Sequence, residues 1–89
     1  MHKLKTFIID SDENSRELIQ NYANESDCIE IADVFNSMEN AYEHIIKELP
    51  NLVIVDITKN QQETLKLIEK ITTSKQQVKF IVTALSYDT

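Results

Sequence analysis

Leu52-Val53-Ile54-Val55-Asp56-Ile57 is an apolar run broken by a single carboxylate, and its reading decides the fold. Apolar, mostly β-branched residues in unbroken succession describe a strand covered on both faces, the situation of a central strand in a parallel sheet. An acid at the end of such a strand is unfavourable unless something there uses it. The same pattern stands near the N-terminus, where Phe7-Ile8-Ile9 closes in Asp10-Ser11-Asp12, and a third apolar run, Phe80-Ile81-Val82, ends in Thr83-Ala84. Parallel strands of an α/β sheet bring their carboxyl ends to one edge. Asp10, Asp12, Asp56 and Thr83 are therefore expected to converge at one mouth of the sheet, where such folds bind ligands. Three carboxylates within about 5 Å of one another would repel by about 3 kcal/mol per pair at an effective dielectric near 20. Such a cluster asks for a divalent cation, and oxygen-only ligands favour Mg²⁺ or Ca²⁺ over zinc.

Between these runs the apolar period turns helical. Residues 4–10 read as the first strand. Residues 13–24 read as a helix with Leu18, Ile19, Tyr22 and Ala23 on its apolar face, and Asp12 and Glu13 put charge in its first turn, where the helix dipole favours it. Residues 28–35 are rich in apolar and β-branched side chains and read as a second strand. Asn36 followed by Glu39 has the form of a capping box. The helix after it is the clearest in the chain, because Met38, Ala41, Tyr42, Ile45, Ile46 and Leu49 fall at i, i+3, i+4, i+7, i+8 and i+11, with Pro50 next. A third helix over 62–72 shows Leu65, Ile68 and Ile71, and residues 78–84 read as a fourth strand. Strands alternating with helices through short loops imply a parallel sheet with right-handed crossovers.

Composition narrows the function. The 89 residues are 42% apolar and 27% charged, as in a folded protein, and allow one domain. A net charge of −6 argues against nucleic acid as a direct ligand. Glycine is absent, which excludes a Walker loop and a dinucleotide fingerprint, since both need glycines to bring the backbone close to phosphate. Neither a signal peptide nor an apolar span of about 18 residues is present, and the one cysteine, Cys28, has no partner for an internal disulfide. The cytoplasm is the expected compartment, with no membrane partner. His2 and His44 have no Cys or His at ligand spacing, so a zinc site is not expected.

The order of an acid-ended strand, helix, strand, helix, Asp-ended strand, helix and Thr-Ala-ended strand resembles the CheY-like receiver domain of bacterial response regulators. The resemblance spans about residues 4–88 and makes residues 1–89 one receiver-like domain. It implies a flavodoxin-like, doubly wound α/β fold with strand order 2-1-3-4. By position Asp56 matches the phosphoacceptor served by a histidine kinase or phosphotransfer protein, Thr83 the hydroxyl that binds the phosphoryl oxygens, and Ala84 its small neighbour. Asp10, Asp12 and Asp56, with the backbone carbonyl at Thr58, match the Mg²⁺ ligands. A module of this kind is a phosphoacceptor switch read by a downstream protein or effector domain, rather than an enzyme. Asp12 also has a second reading, as the cap of the first helix, and Thr83 a second one, as a β-branched strand residue.

The chain departs from the receiver pattern at several points. Receivers usually carry two adjacent acids after the first strand, and here Asp10 is followed by Ser11. Their Pro four residues after the acceptor and Gly eight residues after it are replaced by Asn60 and Thr64. The fifth strand, with the Lys that pairs with the phosphoryl group, would lie beyond Thr89. Without it residues 78–84 form a sheet edge, and an unpaired apolar edge is a template for a second chain. A homodimer, or a longer parent chain, is therefore expected. Two further resemblances are open. The loop after Asp56-Ile57-Thr58-Lys59 is similar to that of the non-phosphorylated receivers that precede ATPase domains in tight-adherence pilus assembly proteins. Ile9-Asp10-Ser11-Asp12 and Val82-Thr83 resemble phosphohydrolases of the haloacid dehalogenase type, which would make Asp10 the nucleophile and Asp12 the acid/base and leave Asp56 without a role.

Overall fold

Apolar runs and helical periods alternate along the chain, and the computed structural model, which describes residues 3–83, turns that alternation into seven elements. They are β1 (Leu4–Ile9), α1 (Glu13–Glu25), β2 (Ile29–Phe35), α2 (Met38–Glu48), β3 (Leu52–Asp56), α3 (Gln61–Ser74) and β4 (Lys79–Thr83). All strand pairs are parallel, and the order across the sheet is β2-β1-β3-β4. This is the doubly wound order expected from the sequence. The chain steps one way from β1 to β2 and the other way to β3 and β4, so right-handed crossovers put α1 on one face and α2 and α3 on the other.

Register follows from the burial pattern. Ile9 stands opposite Val55 and Val55 opposite Val82, while Asp56 stands opposite Thr83. On the face covered by α2 and α3, Phe7, Ile9, Val53 and Val55 meet Met38, Ala41, Ile45, Ile71 and Val78 in the main core. Burying a side chain the size of Phe7 or Ile45 stabilises by about 1.5–3 kcal/mol. Ile8 and Thr6, of opposite parity, are also buried, as is Ala23 of α1. The β1–β2 register shifts between Thr6 and Phe7, where Ala32 is the extra residue, and this bulge sets Phe35 edge-on to Phe7 at 5.3 Å.

Three local expectations are corrected. In α1 only the Ile19–Ala23 stripe meets the sheet, while Leu18 and Tyr22 are 56% and 69% exposed; a single helix over this face takes one i, i+4 stripe and leaves its neighbour to solvent. In α3 the inward residues are Thr64, Leu67, Ile68 and Ile71, and Leu65 is exposed. The cap of α2 is Ser37, whose Oγ accepts the Asn40 N–H at 3.1 Å, and Asn36 instead accepts the Asn40 side-chain amide at 2.8 Å. Ser and Asn are near-equal caps, so sequence spacing alone does not choose between adjacent ones.

Without glycine, the left-handed backbone positions fall to other residues: Leu49 (φ 48°) ends α2 just before Pro50, and Asn60 (φ 55°) begins α3. Asn tolerates this region through its short polar side chain. Leu49 is held there by packing against the core.

Candidate functional site

The winding reverses between β1 and β3, and ligands of open α/β sheets bind at the carboxyl ends of the strands flanking such a point. Asp10 follows β1, Asp56 ends β3, and the register that pairs Ile9 with Val55 brings the two aspartates to the same edge.

Asp10 is 1% exposed. Its N–H donates to the Phe35 carbonyl at 3.0 Å, which anchors the end of β1 to β2. Its Oδ1 accepts the Asp12 N–H at 2.9 Å, and its Oδ2 is buried with no hydrogen-bond partner among the described residues. The Asp10 carbonyl accepts from Arg16 Nη1 at 2.7 Å, so the only arginine of the chain lies over the turn that leaves β1. Asp56 is half-buried. Its Oδ1 accepts from Thr58 Oγ1 at 2.8 Å and, more weakly, from Thr83 Oγ1 at 3.4 Å. The second contact crosses from β4 to β3 between residues 27 apart in sequence. Both hydroxyls converge on the same oxygen of Asp56.

The three-carboxylate cluster expected from the sequence is not assembled. Among the described residues no three His, Cys, Asp or Glu side chains stand close enough to hold a metal ion. Asp12 is the reason: it is exposed, and its Oδ1 accepts the Asn14 N–H at 3.0 Å as the N-cap of α1. A cap of this kind is worth about 1 kcal/mol and sits at the favourable end of the helix dipole. Asp10 and Asp56 remain. Two carboxylates on adjacent strands, one with an orphaned buried oxygen, suit a hard cation that keeps most of its waters, as Mg²⁺ does. Ala84 lies outside the described residues.

Two cavities open beside Asp56. One, of about 450 Å³, has Ile9, Met38 and Leu67 in its wall and Asn36, Ser37 and Asn60 at its polar side. The other, of about 370 Å³, lies toward Asp12, Glu13 and Thr58. Ser11, Asp56 and Lys59 line both and form the ridge between them. Sequence reading missed Arg16 and Lys59. Lys59, three residues after Asp56 in a loop entering a helix, could have been noticed as the nearest cation to the acceptor position, whereas nothing in the spacing of Arg16 points to the Asp10 carbonyl. Among the described residues no helix is long and apolar enough to cross a membrane.

No protein family's sequence profile matches the chain, and no curated protein matches it in sequence. Its fold is similar to that of a chain described as the signal receiver domain of the response regulator NarL from Mycobacterium tuberculosis. The TM-score is 0.85 over 99% of this chain and 71% of that one, at 12% sequence identity. At that identity the likeness establishes the architecture: the chain has the CheY-like receiver fold, with strand order 2-1-3-4.

Proposed function

We propose that this chain is a receiver-type signalling module in which Asp56 accepts a phosphoryl group. The observation that carries the reading is the seat of Asp56: it ends the central strand at the switch point, with a Thr83 hydroxyl reaching it from the next strand and open space on two sides. Hydroxyl donors on Oδ1 fix the carboxylate plane and leave Oδ2 to attack phosphorus. As the ester forms, Oδ1 becomes the carbonyl oxygen of the acyl phosphate and the Thr58 hydroxyl continues to donate to it. The Thr83 contact is longer and free to turn toward a phosphoryl oxygen, which would carry the chemical state of Asp56 into β4. Mg²⁺ would be held by Asp10, Asp56 and the backbone carbonyl of Thr58, and bound there it would neutralise charge on the phosphoryl oxygens. The donor partner is a histidine kinase or a phosphotransfer protein, and the reader of the switch is a downstream protein or effector domain.

A second reading is favoured by one observation, that Asp12 caps a helix and leaves only two carboxylates at the site. In that reading the chain is a degenerate receiver that serves protein contacts without phosphorylation, as in the pilus-assembly ATPases. The dehalogenase-type reading is disfavoured because Asp10 is 1% exposed and lines neither cavity beside Asp56, a seat that suits a small cation better than a substrate phosphate, and because it leaves Asp56 without a role. Intact-mass measurement after incubation with acetyl phosphate and Mg²⁺ separates the three. Gain of one phosphoryl group, lost in Asp56→Asn and kept in Asp10→Asn at a reduced rate, supports the receiver. An unlabelled chain supports the interaction module, and label that survives Asp56→Asn but not Asp10→Asn supports the hydrolase.

A further inference from the structure

A phosphoryl dianion approaching Asp56 meets that carboxylate and, in the walls of the two cavities, those of Asp12, Glu13, Glu39 and Glu63, and a cation at the contact point would raise both its local concentration and the rate of transfer. Three cations are candidates by position. Arg16 gives its Nη1 to the Asp10 carbonyl and lines neither cavity beside Asp56. Lys66, on α3, lines only the larger one. Lys59 lines both, together with Asp56 and Ser11, is exposed, and among the described residues makes no salt bridge. Its loop is set by Asn60, whose left-handed backbone turns the chain into α3 directly after it. Ser11, the third residue of the ridge, is neutral, and the carboxylates farther along the two cavities, Glu39 and Glu63 in one and Asp12 and Glu13 in the other, make no salt bridge with Lys59 among the described residues.

Resting on the reading of Asp56 as phosphoacceptor, we propose that Lys59 is the cationic contact for the phosphoryl group at this site, drawn from the β3–α3 loop. In the transfer from acetyl phosphate, an Asp56 carboxylate oxygen forms the new P–O bond while the P–O bond to the acetyl group breaks. Acetate leaves with the electron pair and no proton moves. The Lys59 ammonium keeps its three protons throughout and donates to the non-bridging oxygens, which is where charge must be balanced during the in-line displacement. A compact ammonium on a flexible stem suits this role because it follows the phosphoryl group from donor to acceptor.

The test is the rate of Asp56 labelling by acetyl phosphate in the whole chain, followed by intact mass at low ionic strength. Lys59→Gln is expected to slow labelling about tenfold, less than a fully buried donor would because solvent screens an exposed charge. Lys59→Arg keeps the charge and most of the rate, and Lys47→Gln, at the far end of α2, leaves the rate unchanged. Added salt slows the wild type more than Lys59→Gln. Equal rates with and without the Lys59 charge overturn this inference and leave the phosphoacceptor reading intact. A chain that takes no label overturns both. Circular dichroism of Lys59→Gln separates a rate effect from misfolding, and an unchanged melting temperature is expected for an exposed side chain without an ion pair.

Discussion

Replacing Asp10 by Asn should make the metal-free protein more stable. The Asp10 carboxylate is 1% exposed, has one oxygen satisfied by the Asp12 N–H, and has the other buried without a partner among the described residues. An unsatisfied buried polar group destabilises by about 1–3 kcal/mol, and more when charged. The Arg16 guanidinium on the carbonyl of the same residue offsets part of this. Asn keeps an oxygen for the Asp12 N–H and removes the charge, but puts amide N–H groups where Oδ2 was. The net gain is therefore about 1 kcal/mol, or about 4–8 °C in Tm for a domain of this size. Mg²⁺ reverses the ranking. At ten times its dissociation constant it stabilises the wild type by about 1.4 kcal/mol through mass action, and it should do little for the variant. Thermal unfolding by circular dichroism, with EDTA and then with millimolar MgCl₂, reads both effects. If Asp10→Asn melts below the wild type in EDTA, the orphaned oxygen is not a source of instability; if the variant keeps the Mg²⁺ shift, Asp10 is not a ligand.

Asp12→Ala should lower stability by about 1 kcal/mol through loss of the α1 cap while leaving any Mg²⁺-induced rise in Tm intact; loss of that rise would return Asp12 to the metal site. Asn60→Ala should destabilise by about 1–2 kcal/mol, since Ala lacks the intrinsic tolerance of Asn for the left-handed region, and chemical denaturation would expose an unchanged value as evidence against that backbone geometry. Among the described strands β4 is the last in the sheet order, and its Ile81 and Val82 are 50% and 43% exposed. Taken by themselves as a polypeptide, these 89 residues are expected to self-associate through β4, unless they are an excerpt of a longer folded chain, and Ile81→Lys to reduce that association. A wild type that light scattering finds monomeric at high micromolar concentration contradicts this.

The sheet was legible because three of its four strands, β1, β3 and β4, carry an apolar run with a definite polar end, at Asp10, Asp56 and Thr83, and the reversal of winding that joins the first two follows from short right-handed connections. The α2 face was legible for a similar reason, since its six apolar positions keep one helical period without a gap. Less could be read where two stripes competed. Leu18 and Tyr22 have the same spacing as Ile19 and Ala23, and only the position of the sheet decides which pair is covered. At the site, the placement of Asp10 and Asp56 at one edge was readable from strand ends, but the fate of Asp12 was not. A carboxylate at that point can serve a helix N-terminus or a cation, and the choice depends on where α1 begins relative to the turn. The convergence of Thr58 and Thr83 on one oxygen of Asp56 depends on rotamers and on β4 register, neither of which sequence spacing encodes.

The most direct test of the central claim is to locate the phosphoryl group. After reaction with acetyl phosphate and Mg²⁺, reduction with borohydride and proteolysis, fragment-ion mass spectrometry assigns the modified residue. Modification is expected at Asp56 alone. A modified Asp10, or a chain that stays unmodified under conditions that label an ordinary receiver, would contradict it.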